Sequence, residues 1–200
     1  MNDLVFTPPM QSEVPAAAEP QRALPPQVDP PPASARSFAF FDRRVVRPLS
    51  ERMLCPLTVL DLCAGPGWLG FQLAANGHAA IALSAQACPP EGLGVVEPLI
   101  GTLPGRMKRL TAAFEAMPLA SGSVDLAVFN GVLDQRLDLR LAFLEAIRVV
   151  RPGGRLALLE ALFGEPLTHT ALKKASAGSG LSWRLRRTPS RGDLWVSERP

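Results

Sequence analysis

Asp61 and the turn behind it are the residues whose types and spacing could do chemistry. The stretch reads Asp61-Leu62-Cys63-Ala64-Gly65-Pro66-Gly67. An acid is followed by a tight run of small residues with two glycines. Glycine takes φ angles that other residues resist, and it lets a ligand touch bare backbone. Nucleotide-like ligands bind at such turns in doubly wound sheets, at the carboxyl ends of the strands. Taken alone, a short glycine turn serves a bare strand-to-helix connection about as often as a ligand.

The elements around the turn must position it. Val59, Leu60 and Leu62 form a short apolar run broken only by Asp61. A run this short, ended by turn residues, reads as a buried parallel strand. After the turn, Leu69, Phe71, Leu73 and Ala74 recur at roughly helical spacing, and Gly77 is a helix stop. His78 to Ser84 is again apolar and β-like. Residues 58–84 therefore read as one βαβ unit. Its helix would offer free N–H groups and a positive dipole end to whatever sits on the turn.

The downstream chain continues the alternation. Residues 86–106 carry Pro89, Pro90, Pro98 and Pro104, so an irregular connection is expected rather than a long helix. Arg109 to Phe114 reads as a short strand. Val124 to Phe129 is a buried strand apart from Asp125, ended by Asn130-Gly131. Leu137 to Val150 carries an apolar stripe at Leu141, Leu144, Ile147 and Val150, the pattern of an amphipathic helix. Arg151-Pro152-Gly153-Gly154 is expected to stop it. Arg155 to Leu162 reads as the next strand and Thr168 to Ala177 as a modest helix. Leu181 to Thr188 and Asp193 to Ser197 read as two strands joined around Ser190-Arg191-Gly192. This order predicts an α/β domain with a mostly parallel sheet and an antiparallel hairpin at one edge. The Val59 strand should be central.

Two hundred residues suffice for one domain with a real core. Residues 1–36 are rich in Pro, Ala, Gln and Glu and read as a disordered, partly polyproline II arm. An inert tail is favoured for it over a partner-binding arm. The domain is expected over residues 37–200. There, Phe38, Phe40 and Phe41 precede Arg43, Arg44 and Arg47 in what reads as a short helix, an apolar lid with solvated arginines.

The three cysteines are odd in number and show no metal spacing, and the only histidines are His78 and His169. A zinc site is not expected, and a reducing, cytoplasmic setting is. No apolar run approaches a membrane span, and the start carries no secretory pattern. Residues 37–200 hold 19 Lys and Arg against 14 Asp and Glu. The basic residues gather at Arg43, Arg44 and Arg47 and at Arg184, Arg186, Arg187 and Arg191. With no nucleic-acid motif beside them, a basic edge that resists aggregation is the favoured reading over an RNA-facing one.

The segment 61–67 resembles the first motif of class I S-adenosylmethionine (SAM)-dependent methyltransferases, acid-x-Gly-x-Gly-x-Gly, with Cys63 in place of the first glycine. Glu115-Ala116-Met117-Pro118-Leu119, Gly122-Ser123-Val124-Asp125-Leu126, Asn130-Gly131-Val132-Leu133 and Arg151-Pro152-Gly153-Gly154 are similar in content and spacing to small-molecule methylases of that family. The resemblance covers nearly all of residues 38–200. It implies a Rossmann-like fold, SAM as cofactor and a small-molecule acceptor. It also implies roles at matching positions. Asp61 would organise the methionine amino end. Cys63, Ala64, Gly65 and Gly67 would bring backbone to the cofactor. Ser84 would end the second strand beside the ribose. Phe114 and Glu115 would lie near the adenine, and Asn130 and Gly131 beside the methyl donor.

Two positions depart from the family pattern. Ser84 stands where an acid usually grips both ribose hydroxyls, and Ala113 stands where an Asp usually meets the adenine. Losing a charged acceptor costs roughly 1.5–3 kcal/mol. The alternative expectation is thus a catalytically inactive relative serving as a structural or assembly subunit, with the arm as a protein-docking surface. The resemblance names no catalytic base. Asp134 is the one candidate, and a helix N-cap is its plainer role.

Overall fold

The computed structural model describes residues 38–62, 64–65, 67–85, 101–130, 138–159, 169–187 and 193–200. Seven strands form one sheet in the order β3-β2-β1-β4-β5-β7-β6. They are β1 (Thr58–Leu62), β2 (Ala79–Ser84), β3 (Arg106–Thr111), β4 (Val124–Asn130), β5 (Val150–Leu159), β6 (Arg184–Arg187) and β7 (Asp193–Glu198). The first five are parallel, and β7 runs antiparallel to both β5 and β6. The expected α/β sheet and its antiparallel edge hairpin are present, and β1 lies between β2 and β4. The chain order of the strands reverses between β1 and β4. That is the crevice where ligands bind in open α/β sheets.

Each face of the sheet carries its own core. On one face Val59, Ala82, Val128 and Ala157 pack with Phe41, Val45, Val46 and Leu49 and with Leu69 and Leu73 of helix α2 (Trp68–Ala75). The entry helix to this face is helical from residue 38, turns π-helical over Asp42–Val46, and continues as α1 (Arg47–Met53). The wider π turn lets adjacent Val45 and Val46 both bury. The apolar lid expected from Phe41 and Val45 is realised, with Arg44 set over the Phe40 ring. On the other face Leu60, Leu62, Leu83, Ala127 and Phe129 pack against α3 (Leu139–Val149) and Leu172 of α4 (His169–Ala175).

Several expected details are corrected. The buried face of α3 is Ala142, Phe143, Ala146 and Val149. Leu141 and Leu144, expected in its stripe, are 47% and 43% exposed. Two alanines let the helix approach the sheet closely. Phe143 fills the remaining space edge-on to Phe129, 4.8 Å between centroids, and burying such a ring contributes about 2–3 kcal/mol. Val150 belongs to β5, and Arg151 to Gly154 run inside that strand past a register shift opposite β4. The third strand begins at Arg106 rather than Arg109 and ends at Thr111. Its start is set by Gly105, whose N–H bonds the Ala74 carbonyl at 2.8 Å. A Cβ on Gly105 would overlap the carbonyl oxygens of Ala74 and His78. The first hairpin strand spans only Arg184–Arg187. The cap of α3 is Asp138, which accepts from the N–H groups of Arg140 and Leu141 at 3.0 and 3.2 Å. Asp134, the residues 1–36, most of the proline-rich connection, and residues 160–162 of the expected fifth strand lie outside the described residues.

Candidate functional site

β1 ends one residue beyond Asp61, so the acid stands at the carboxyl edge of the sheet, paired laterally with Ala82 and Val128. Strand alternation sends Asp61 to the same face as Val59, the face covered by α2. It is fully buried. Among the described residues neither carboxylate oxygen has a hydrogen-bond partner. Burial pushes its pKa up to about 7. The Gly70 amide in the first turn of α2 and the Asn130 side chain pull it down more weakly, without reaching hydrogen-bond geometry. A buried carboxylate without a partner is costly, and the great majority of such groups are satisfied.

The glycine turn lies directly beyond. Ala64 N–H bonds the Leu83 carbonyl at 3.3 Å, tying the turn to β2. Gly67 N–H closes back on the Ala64 carbonyl at 2.7 Å, and Gly67 caps α2 with φ +82°. Gly65 takes φ +51° and is exposed. A Cβ added to it would meet nothing within 4 Å. The left-handed φ and the open space together leave bare backbone facing a vacant approach, as a ligand-touching turn requires. Cys63 and Gly131 lie outside the described residues.

The other expected residues ring the same edge to different degrees. Ser84 ends β2 beside Thr111 of β3, and its carbonyl accepts from Ala112 N–H at 3.1 Å. Asn130 ends β4, half-buried, near enough to Asp61 to influence it. Phe114 is buried in the opposite core with Leu62, Leu83 and Met117. Glu115 is half-buried in the turn after β3. The structure thus brings Asp61, Gly65, Gly67, Ser84 and Asn130 to one edge and sets Phe114 into the packing beneath it. Sequence reasoning missed the isolation of Asp61, because a lone acid in an apolar strand looks the same whether or not a neighbour pairs it. Among the described residues no cluster of His, Cys, Asp or Glu could hold a metal ion. No described helix is long and apolar enough to cross a membrane.

Residues 60–158 match the family model described as a methyltransferase domain. A curated relative, the malonyl-[acyl-carrier protein] O-methyltransferase of Hahella chejuensis, is 34% identical over 103 residues, 51% of this chain and 36% of its own length. The chain thus spans about a third of that relative. Among solved structures, the 1,6-didemethyltoxoflavin-N1-methyltransferase of Burkholderia thailandensis, with 1,6-didemethyltoxoflavin and S-adenosylhomocysteine bound, is 19% identical with a TM-score of 0.61. The similarity covers 84% of each chain. The [4+2]-cyclase SpnF is 14% identical with a TM-score of 0.63 over 84% of this chain and 81% of its own. At these identities the likeness is one of fold, and the cyclase shows that one fold carries more than one reaction.

Proposed function

We propose, from the premise that the chain belongs to the class I SAM-dependent methyltransferases, that it binds SAM at the β1–β4 crevice and methylates a small-molecule acceptor. The observation that carries this is Asp61, a buried carboxylate with no hydrogen-bond partner among the described residues, next to an open left-handed glycine turn. A cofactor bearing an ammonium group and a long polar body fits both features. Asp61 would hold the ammonium end. The backbone of Gly65 and Gly67 would border the cofactor, and Ser84 and Asn130 would flank it from the neighbouring strand ends. Glu115, after β3, would serve the adenine side. When bound, SAM supplies a methyl group already activated by its sulfonium. The protein then mainly aligns the acceptor and excludes water, and no strong base is required. The Hahella relative is named for O-methylation of malonyl-[acyl-carrier protein], which supports an acceptor bearing a short acyl group.

Ser84 in the ribose position favours the second reading, an inactive relative with a structural or assembly role and a partner held by the N-terminal arm. Calorimetry with S-adenosylhomocysteine separates the two. Micromolar binding to the full chain, abolished in Gly65→Arg, is expected for the enzyme. A Cβ at position 65 meets nothing within 4 Å, so the expected cost to folding is about 1–2 kcal/mol of backbone strain. The variant stays folded while the approach is filled. No binding at millimolar ligand would move the assignment to the inactive subunit.

A further inference from the structure

Two basic runs far apart in sequence meet in one cleft. Arg44 of the π turn, Arg155 of β5 and Arg184 of β6 line a cavity of about 270 Å³ with Pro48, Ser182, Val196 and Glu198. We propose that this cleft binds a phosphate group, at a site separate from the cofactor crevice.

Charge is the first argument. Three guanidinium groups line the cleft with one carboxylate. That carboxylate, Glu198, is tied to Arg52 at 2.9 Å. Among the described residues the lining therefore holds a surplus of positive charge, three guanidinium groups against one carboxylate that Arg52 already engages. Arg155 is half-buried and donates to the Val45 carbonyl at a long 3.4 Å. Burial, and then the neighbouring Arg52 charge, hold its pKa below the usual range, with Glu198 acting in the other direction. Asp42, the other nearby acid on the entry helix, is engaged by Arg47 at 2.9 Å.

Shape and position are the second argument. Planar guanidinium forks match phosphate oxygens in pairs. Arg44 is held over the Phe40 ring, 5.7 Å from its centroid, which restrains its direction. A cavity of about 270 Å³ lies near the lower bound for small-ligand clefts, roughly 300 Å³. It suits a phosphoryl group on a small body better than an extended polymer. The site is not the crevice already described. Arg155 pairs with Leu126, four residues before Asn130, or ~13 Å down the strand. A phosphate here would join the entry helix, β5 and the terminal hairpin.

The test uses the full chain in calorimetry with glycerol phosphate and with inorganic phosphate, each against chloride at matched ionic strength. Saturable binding of either phosphate beyond chloride is expected. Tighter binding of glycerol phosphate would identify a phosphomonoester ligand, and equal binding free phosphate. Arg184→Gln, whose side chain is exposed, should weaken binding about tenfold, or ~1.4 kcal/mol. Glu198→Gln should tighten it. S-adenosylhomocysteine affinity should be the same in both variants, which keeps this site's outcome apart from that of the cofactor reading. Binding no better than chloride would overturn the proposal. So would phosphate binding indifferent to Arg44→Gln and Arg184→Gln, or binding of an oligonucleotide or polyaspartate alone.

Discussion

Asp61 of β1 and Asp125 of β4 are buried carboxylates on neighbouring strands, and the two ends of the sheet treat them oppositely. At the amino end, Asp125 accepts from Thr58 N–H at 2.6 Å and meets Arg151 at 2.5 Å. Also at the amino end, His78 accepts from Leu57 N–H through Nδ1 at 3.1 Å. At the carboxyl end, Asp61 has no hydrogen-bond partner among the described residues, only the weaker pull of the Gly70 amide and the Asn130 side chain. The glycines divide the same way. Gly105 at the amino end is wedged between backbone carbonyls, whereas Gly65 at the carboxyl end faces open space. Buried polar groups left unpaired lower stability, so natural structures keep them where function demands it. One end of this sheet is fastened. The other leaves its buried acid without a hydrogen-bond partner among the described residues.

The largest effect is expected from breaking the fastened end. Asp125→Ala removes the acceptor of Thr58 N–H and strands the Arg151 guanidinium, whose Nε already lacks a partner. Breaking one side of such a pair costs about 3–5 kcal/mol when buried. Arg151 is partly exposed, which places the expected loss near the lower figure, ~3 kcal/mol. Urea titration should show the midpoint fall with the slope unchanged. A loss within experimental error would mean that the amino end is no better fastened than the other.

Asp61→Asn should act in the opposite direction. The folded pKa of Asp61 is raised, from 3.8 to about 7. The native state therefore holds the proton more tightly than the unfolded chain. The stability this gives is full below about pH 3.8 and is lost as pH rises to about 7. Over that window the ligand-free protein should lose roughly 4 kcal/mol. Asn cannot ionise and removes the slope, at the cost of a poorly paired amide. A net gain of ~2 kcal/mol at pH 8 is expected from chemical denaturation. The same variant should bind S-adenosylhomocysteine more than about tenfold more weakly, since the ammonium loses its charged partner. In the wild type, that affinity should rise with pH toward 8. A variant both less stable and equally able to bind would break the comparison.

Much of this was legible in the residues, and the failures share a cause. Short apolar runs bounded by turns located β1, β2 and β4 because both faces of an interior strand are buried. β3 sits at the sheet's edge, and its Arg106, Lys108 and Arg109 hid its start. The stripe Leu141-Leu144-Ile147 misled because hydrophobicity was weighed above size. The sheet instead chose the alanine face, where close approach gains more contact than a leucine does at a distance. At the site, the acid and glycines were visible as types in a spacing. What no spacing encodes is the partner list of Asp61, or the meeting of Arg44 with Arg155 and Arg184, 111 and 140 residues further along the chain. Those depend on the finished sheet.

The smallest expected effect sharpens the comparison at the fastened end. Burial lowers the pKa of His78 below 6.5, opposed by the charge of Asp42. Its Nδ1 accepts from Leu57 N–H, so the native state needs the neutral ring. The sign follows. The unfolded chain binds this proton more readily, so the stability is fully present above about pH 6.5 and is lost as pH falls through the lowered folded value. Asp61 pulls the other way over the same range, and in the wild type its larger slope conceals that of His78. The measurement therefore belongs in the Asp61→Asn background. There, urea midpoints should decline as pH falls from 7 to 5. The decline should vanish when His78→Gln is added, since the amide oxygen can accept from Leu57 N–H without titrating. A decline that persists in the double variant would place the acid sensitivity elsewhere and leave the amino end fastened by Asp125 alone.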